Sequence, residues 1–264
     1  MTILDGCHVL MAGESWVTQE HHSKGFVLYT TGSYEEGGKP LIEALEQGGA
    51  SVAYLPNHRA GEEFPRHAEE LARYSAVILS DIASDTLLLD RACFVEGVRS
   101  VNRLRLLAMY VEAGGSLLMV GGYMSFSGFE GKAHYAVTPL ADVLPVLVSE
   151  TDDRIETPEG VTPTVRDGGH PVLDGIDGEW PYFLGYNRLA AREGAEVPLS
   201  FGDDPLLVLA RHGAGRVAAF ASDCSPHWGS RDFLSWVHYA RFWTQLVAWL
   251  AEPRPQTHER GTTK

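Results

Sequence analysis

Apolar residues in this chain come in short unbroken runs, separated by amphipathic stretches that close on glycine. Cys7–Ala12, Ser51–Leu55, Ala76–Ser80 and Leu117–Val120 are such runs. An unalternating apolar run of roughly 4–8 residues reads as a strand buried on both faces. Between them, Pro40–Gln47 spaces Leu41, Ala44 and Leu45 as a helix does and stops at Gly48-Gly49. Pro65–Tyr74 opens on proline, as helices often do, and Asn102–Ala113 carries Leu106, Met109 and Tyr110 on one face before Gly114-Gly115. Alternating strands and helices predict an α/β fold with a mostly parallel, doubly wound sheet covered on both faces. Two connections stand out. Glu14–Gly37 reads as a polar, aromatic-rich loop, long enough to suggest function, and the stretch from Asp81 to Val101 gives no clear element.

After Tyr135 the pattern becomes β-rich. Val146–Ser149, Val161–Val165, Pro181–Leu189 and Val197–Ser200 are short strand candidates, and Leu206–Ala210 with Arg216–Ser222 flank the hairpin turn His212-Gly-Ala-Gly215. Phe233–Leu250 reads as one long helix with an aromatic face that is best explained as core. No repeat or linker divides the chain. The expectation is a single domain over residues 1–251 with a β-rich insertion and a disordered polar tail over 252–264.

Composition narrows the class. Hydrophobic residues are 44% of 264, enough for a sizeable core, and the net charge of −14 argues against a nucleic-acid-coating protein. The three cysteines (Cys7, Cys93, Cys224) form no CxxC pair, so neither a disulfide framework nor a zinc ribbon is expected. No apolar stretch approaches the ~18 residues of a membrane span. The expectation is a cytoplasmic protein with a small-molecule ligand, no nucleic-acid or membrane partner and no cofactor, forming a homo-oligomer.

Two strand ends carry candidate chemistry. Ser116–Val120 runs into Gly121-Gly122-Tyr123-Met124-Ser125, and Gly215–Ser222 delivers Asp223, Cys224 and His227 to a loop. In an α/β sheet such carboxyl ends gather catalytic groups. Further segments run nearly end to end: Gly13-Glu-Ser-Trp16, His22-Ser-Lys-Gly25, Leu79-Ser-Asp-Ile82, Tyr110-Val-Glu-Ala-Gly-Gly115, Gly121-Gly-Tyr-Met-Ser-Phe126, Leu184-Gly-Tyr-Asn187 and Ser222-Asp-Cys-Ser-Pro-His-Trp228. Together they resemble the class I glutamine amidotransferase-like superfamily, nearest its cytoplasmic group related to trehalose-utilisation-type proteins. The resemblance implies a flavodoxin-like three-layer α/β/α fold. It also implies a Gly-x-Cys-x-Gly nucleophile turn and a late His-x-Glu motif. Here the resemblance places Met124 at the cysteine position, and the late motif reads His227-Trp228-Gly229. A thioether cannot act as a thiolate, so glutaminase chemistry is not expected.

The remaining candidates keep a functional and a structural reading side by side. His227, Asp223 and Ser125 could form a catalytic set, or be a loop histidine, a strand-end cap and a turn residue. The backbone amides around Gly122, Tyr123 and Met124 could bind an oxyanion. Trp16, His22 and Lys24 from the long first loop, with Asp81 and Trp228, could grip substrate, or be a solvated cluster and core. Cys224 beside Asp223 reads as an inert thiol. His22, Asp81, Asp223 and His227 are metal-ligand types, yet no HxH or HExxH spacing supports a site, and none is expected. Asp152-Asp153-Arg154 and Tyr186-Asn187 could line a lid or solvate a turn. The function expected is a hydrolase-like enzyme acting on a small polar metabolite, a carbohydrate derivative being one candidate; the alternative is a non-catalytic small-molecule-binding or assembly protein.

Overall fold

The computed structural model describes residues 2–252. The expected disordered tail therefore lies, past Glu252, outside the described residues. The chain opens with β1 (His8–Gly13), β2 (Ser15–Lys24), β3 (Val27–Glu36), α1 (Lys39–Gln47), β4 (Ser51–Leu55), α2 (Asn57–Glu63), α3 (Ala68–Leu71) and β5 (Ala76–Ser80). It continues through α4 (Ser84–Leu88), α5 (Arg91–Phe94), α6 (Arg103–Glu112) and β6 (Ser116–Val120). The β-rich part holds β7 (Val146–Leu147), β8 (Arg154–Val161), β9 (Thr164–Val165), β10 (Phe183–Asn187), β11 (Ala190–Ala191), β12 (Glu196–Phe201), β13 (Asp204–His212) and β14 (Gly215–Phe220). The helices α7 (Arg231–Leu234) and α8 (Tyr239–Ala251) close the fold.

One eight-stranded sheet has the order β4-β1-β5-β6-β14-β13-β12-β9. Its first five strands are parallel, in the succession that defines flavodoxin-like sheets. The β13/β14 hairpin then turns the sheet antiparallel out to β9. Every residue of β5, β6 and β14 is buried, which is why their sequences show no alternation. Helix α8 has no side-chain N-cap, but it buries Phe242, Trp243, Leu246, Val247 and Leu250. Each such side chain stabilises the fold by roughly 1.5–3 kcal/mol, outweighing the ~1 kcal/mol of a missing cap.

Three local expectations change. The segment Glu14–Gly37 is not a loop but a ten-residue antiparallel ribbon, with pairs running from Ser15–Glu36 to Lys24–Val27. Gly25, at φ 62°, takes the first central position of its tip, where a type II′ turn requires glycine. The expected helix over 65–74 is only the single turn of α3, preceded by an unexpected α2. The long closing helix is split at Ser235–His238, where Trp236 turns away from the helical path to pack its ring 4.6 Å from that of Trp180.

Candidate functional site

The carboxyl ends of β1, β5, β6 and β14 converge, and each delivers a residue at positive φ. Glu14 (φ 50°) follows β1, Asp81 (φ 44°) follows β5, Gly122 (φ 146°) follows β6, and His227 (φ 130°) lies in the loop after β14. Non-glycine residues hold positive φ only where their surroundings fix them. Asn57 does part of that work: its Nδ2 donates to the carbonyls of Ser15 (2.7 Å) and Asp81 (3.1 Å), tying two turns together. Tyr54 Oη donates to the carbonyls of Gly13 and Glu14, both at 3.1 Å.

Beneath the rim lies a buried acid cluster. The two carboxylate oxygens of Glu14 accept from Ser80 Oγ and Ser225 Oγ, each at 2.5 Å, and Cys224 Sγ lies 3.8 Å from Oε2. Burial, then the neighbouring Asp223 and Asp81 charges, push Glu14 well above the usual carboxylate range. Asp223 is driven up for the same reasons, burial first and Asp81 second. Burial also raises Asp81, against the pull of the Met124 N–H and of His227. The Cys224 thiol is fully buried and held well above its ordinary value by burial and by Glu14 and Asp223, so it is no thiolate. By donor type, Glu14, Asp223 and Cys224 could hold a metal, their ligand atoms lying within 4.8 Å of one another. Such binding would displace the serine hydroxyls from Glu14.

The turn after β6 differs from a waiting oxyanion hole. Asp81 Oδ1 already accepts from Met124 N at 2.6 Å, and Gly122 N donates to Asn187 Oδ1 at 3.0 Å. The amides expected to bind an oxyanion are thus engaged by the protein's own side chains. A Cβ on Gly122 would stand 2.8 Å from Asp81 Oδ1, and one on Gly121 2.6 Å from the Ala221 carbonyl, so the close approach needs both glycines. Ser125 is buried. Its hydroxyl donates to the Val120 carbonyl at 2.6 Å and accepts from Asp81 N at 3.1 Å. The geometry gives it the work of pinning the turn, its proton committed to the Val120 carbonyl.

His227 is the exposed group of the rim. Its Nδ1 lies 3.8 Å from Asp223 Oδ2, in ion-pair range but beyond a hydrogen bond. Its ring meets Tyr123 edge-on at 4.4 Å and stacks on Trp228 at 5.3 Å. Partial burial lowers its basicity, opposed by Glu156, Asp81 and Glu14. Glu156 joins the wall behind it, accepting from Tyr123 Oη at 2.8 Å and Trp228 Nε1 at 3.0 Å. Arg154, pinned by Asp152, lays its guanidinium 4.6 Å from the Tyr123 ring centre. Asp153 accepts from Ser127 N, Gly128 N and Asn187 Nδ2, so the β-rich insertion braces the turn directly.

Of the residues singled out in the sequence, His227, Asp223, Asp81, Gly122, Tyr123, Met124 and Ser125 gather here. Trp16, half-buried, joins them: its ring comes within 3.0 Å of where a Cβ on Gly37 would sit, beside Glu14 Oε1 and Ser225 Oγ. Trp228 is fully buried and backs His227 rather than facing a ligand. His22 and Lys24 are placed elsewhere, toward the far end of the ribbon, because the ten-residue strand carries them roughly 23 and 30 Å from its root. There His22 contacts Thr31 and stacks on Tyr29. Ser225 and Glu156 belong to the site without having been expected there, whereas Asn187, read as a lid or turn residue, braces the glycine turn through Gly122 and Asp153. A separate cleft of about 1190 Å³ lies at the opposite rim, lined by Cys7, Arg211, Arg216 and Arg241, near the amino ends of β1 and β14.

Residues 8–252 match a family model described as "Putative glutamine amidotransferase". The chain belongs to that family. Among solved structures it is similar to the cytoplasmic protein STM3548 from Salmonella typhimurium, at 44% identity and TM-score 0.90 over 93% of this chain and 99% of the other. The cytoplasmic protein STM1381 from Salmonella typhimurium LT2 is similar at 45% identity and TM-score 0.89, over 93% and 100%. A ThuA-like protein from Parabacteroides merdae ATCC 43184 shares the fold, at 12% identity and TM-score 0.51 over 94% and 92%. No curated protein matches the chain. Among the described residues no helix is long and apolar enough to cross a membrane.

Proposed function

We propose that this amidotransferase-family chain is a hydrolase-like cytoplasmic enzyme that lacks the family's cysteine nucleophile. It acts by general acid–base chemistry on a small, uncharged polar metabolite of polyol or carbohydrate character. One observation carries the reading. An exposed imidazole, His227, stands 3.8 Å from a buried carboxyl, Asp223, at a rim whose only nearby thiol is sealed inside.

A neutral His227 accepts a proton from water or a substrate hydroxyl, and Asp223 behind it favours the imidazolium that forms. Asp81, raised by burial, can hold a proton for the departing group. The charge balance supports an uncharged substrate: three carboxyl groups line the floor, and Arg154 is committed to Asp152. The half-exposed Trp16 and Tyr123 offer flat faces of the kind that pack on sugar rings. The cytoplasmic setting is supported by the two Salmonella relatives, which are described as cytoplasmic proteins.

Met124 at the turn and its engaged amides favour one second reading, a binding protein without turnover. A panel of neutral sugars and polyols, scored by thermal shift and by product formation, separates the two. A ligand at 100 times its Kd should stabilise the fold by about 2.7 kcal/mol. Under the enzymatic reading, His227→Gln keeps that binding and loses ~10²–10⁴-fold in turnover. Binding with no turnover in the unaltered protein selects the second reading. Ammonia release from glutamine, with Cys224 labelled by a thiol-directed glutamine analogue, overturns both.

A further inference from the structure

The ribbon of β2 and β3 stands apart from the folded body. Among the described residues it pairs with no other strand, and all ten residues of β3 are exposed. A lone two-stranded ribbon is at best marginally stable in water and needs a further layer to hold its shape. Its tip also exposes large apolar side chains. Phe26 is fully solvent-exposed (108%) and Leu28 is 77% exposed, with Val27 and Tyr29 beside them. A contiguous apolar patch on an extended arm marks an interaction surface.

Charge points to the occupant. Residues 21–31 contain Lys24 and no Asp or Glu, in a chain whose net charge is −14. The arm is therefore apolar and basic at its end, while the body it would meet is strongly acidic. A partner needed by every ribbon is supplied without fail only by another copy of the same chain. Area agrees. A ribbon about 30 Å long and ~10 Å wide covers ~300 Å² of a neighbour. Two ribbons exchanged about a two-fold axis then bury ~1,200 Å² in total, counting both partners, which is the lower bound for a stable interface.

We infer that the ribbon is an assembly arm: each copy lays its tip, anchored by Phe26 and Leu28, against the acidic body of a second copy, reciprocally. This stands on the ribbon alone and is independent of the reaction proposed above. The test is the solution mass of the full chain by light scattering at micromolar concentration. Two variants accompany it: Phe26→Asp, which alters one fully exposed side chain, and a shortened ribbon joining Thr18 to Ser33 through Asn-Gly. The unaltered chain should run at twice 28.9 kDa or a higher multiple, and both variants at 28.9 kDa with unchanged circular dichroism. An unaltered chain that is monomeric, or a shortened-ribbon variant that keeps the assembled mass, would overturn the inference.

Discussion

Glu14 shows how much a single buried carboxyl can shape the site. Its folded-state proton affinity is raised by burial and by two acidic neighbours, so the native chain binds that proton more tightly than the unfolded chain does. Stability from such a group is complete below the ordinary carboxylate range and is lost as pH rises toward the raised value. Asp223 carries the same sign. Glu70 and Asp90, lowered by hydrogen bonds, act oppositely and weaken the fold only in acid. Thermal melts should therefore fall from about pH 5 upward. Glu14→Gln, which keeps hydrogen bonding toward Ser80 and Ser225 but cannot ionise, should flatten that fall. A variant with an unchanged slope would show that Glu14 ionises freely in the native protein. Of this cluster, Asp81 and Asp223 were legible from their places at strand ends. Glu156 and Ser225 were not, because the contacts that give them meaning span 33 and 211 residues of sequence.

At the scale of elements, the turn after β6 is built as a brace. Ser125 links the end of β6 to the start of the β5 loop, and Asp81 caps the Met124 amide in return. Ser125→Ala leaves Asp81 N and the Val120 carbonyl without a partner, a cost of about 1–3 kcal/mol. The prediction is a melting temperature lower by several degrees with the family fold intact; a melt equal to the parent's would contradict the bracing role. Strands were readable where both faces are buried, as in Ala76-Val-Ile-Leu-Ser80, since burial itself writes the apolar run. The ribbon was unreadable for the converse reason. Neither of its faces packs on the core, so no alternation marks it, and Val17, Val27 and Leu28 are exposed. The closing helix was over-extended because Phe233 and Trp236 keep helical spacing while Trp236 packs on Trp180 instead.

For the whole molecule, the parallel half of the sheet and the antiparallel half have different tasks. The parallel strands bring Glu14, Asp81 and the glycine turn to one rim, and β14, at the seam, adds Asp223 and His227. The β-rich insertion then walls the rim through Glu156, Arg154 and Asn187. This arrangement places an imidazole beside buried carboxyl groups whose proton affinity burial raises, and the proposed reaction requires that imidazole to be neutral at work. The most direct measurement is an NMR titration of the His227 ring in the intact protein. The account predicts a midpoint below the ordinary 6.5, because partial burial outweighs the nearby acids. A midpoint above 7 would mean a standing imidazolium–carboxylate pair with Asp223, and the general-base role assigned to His227 would fall.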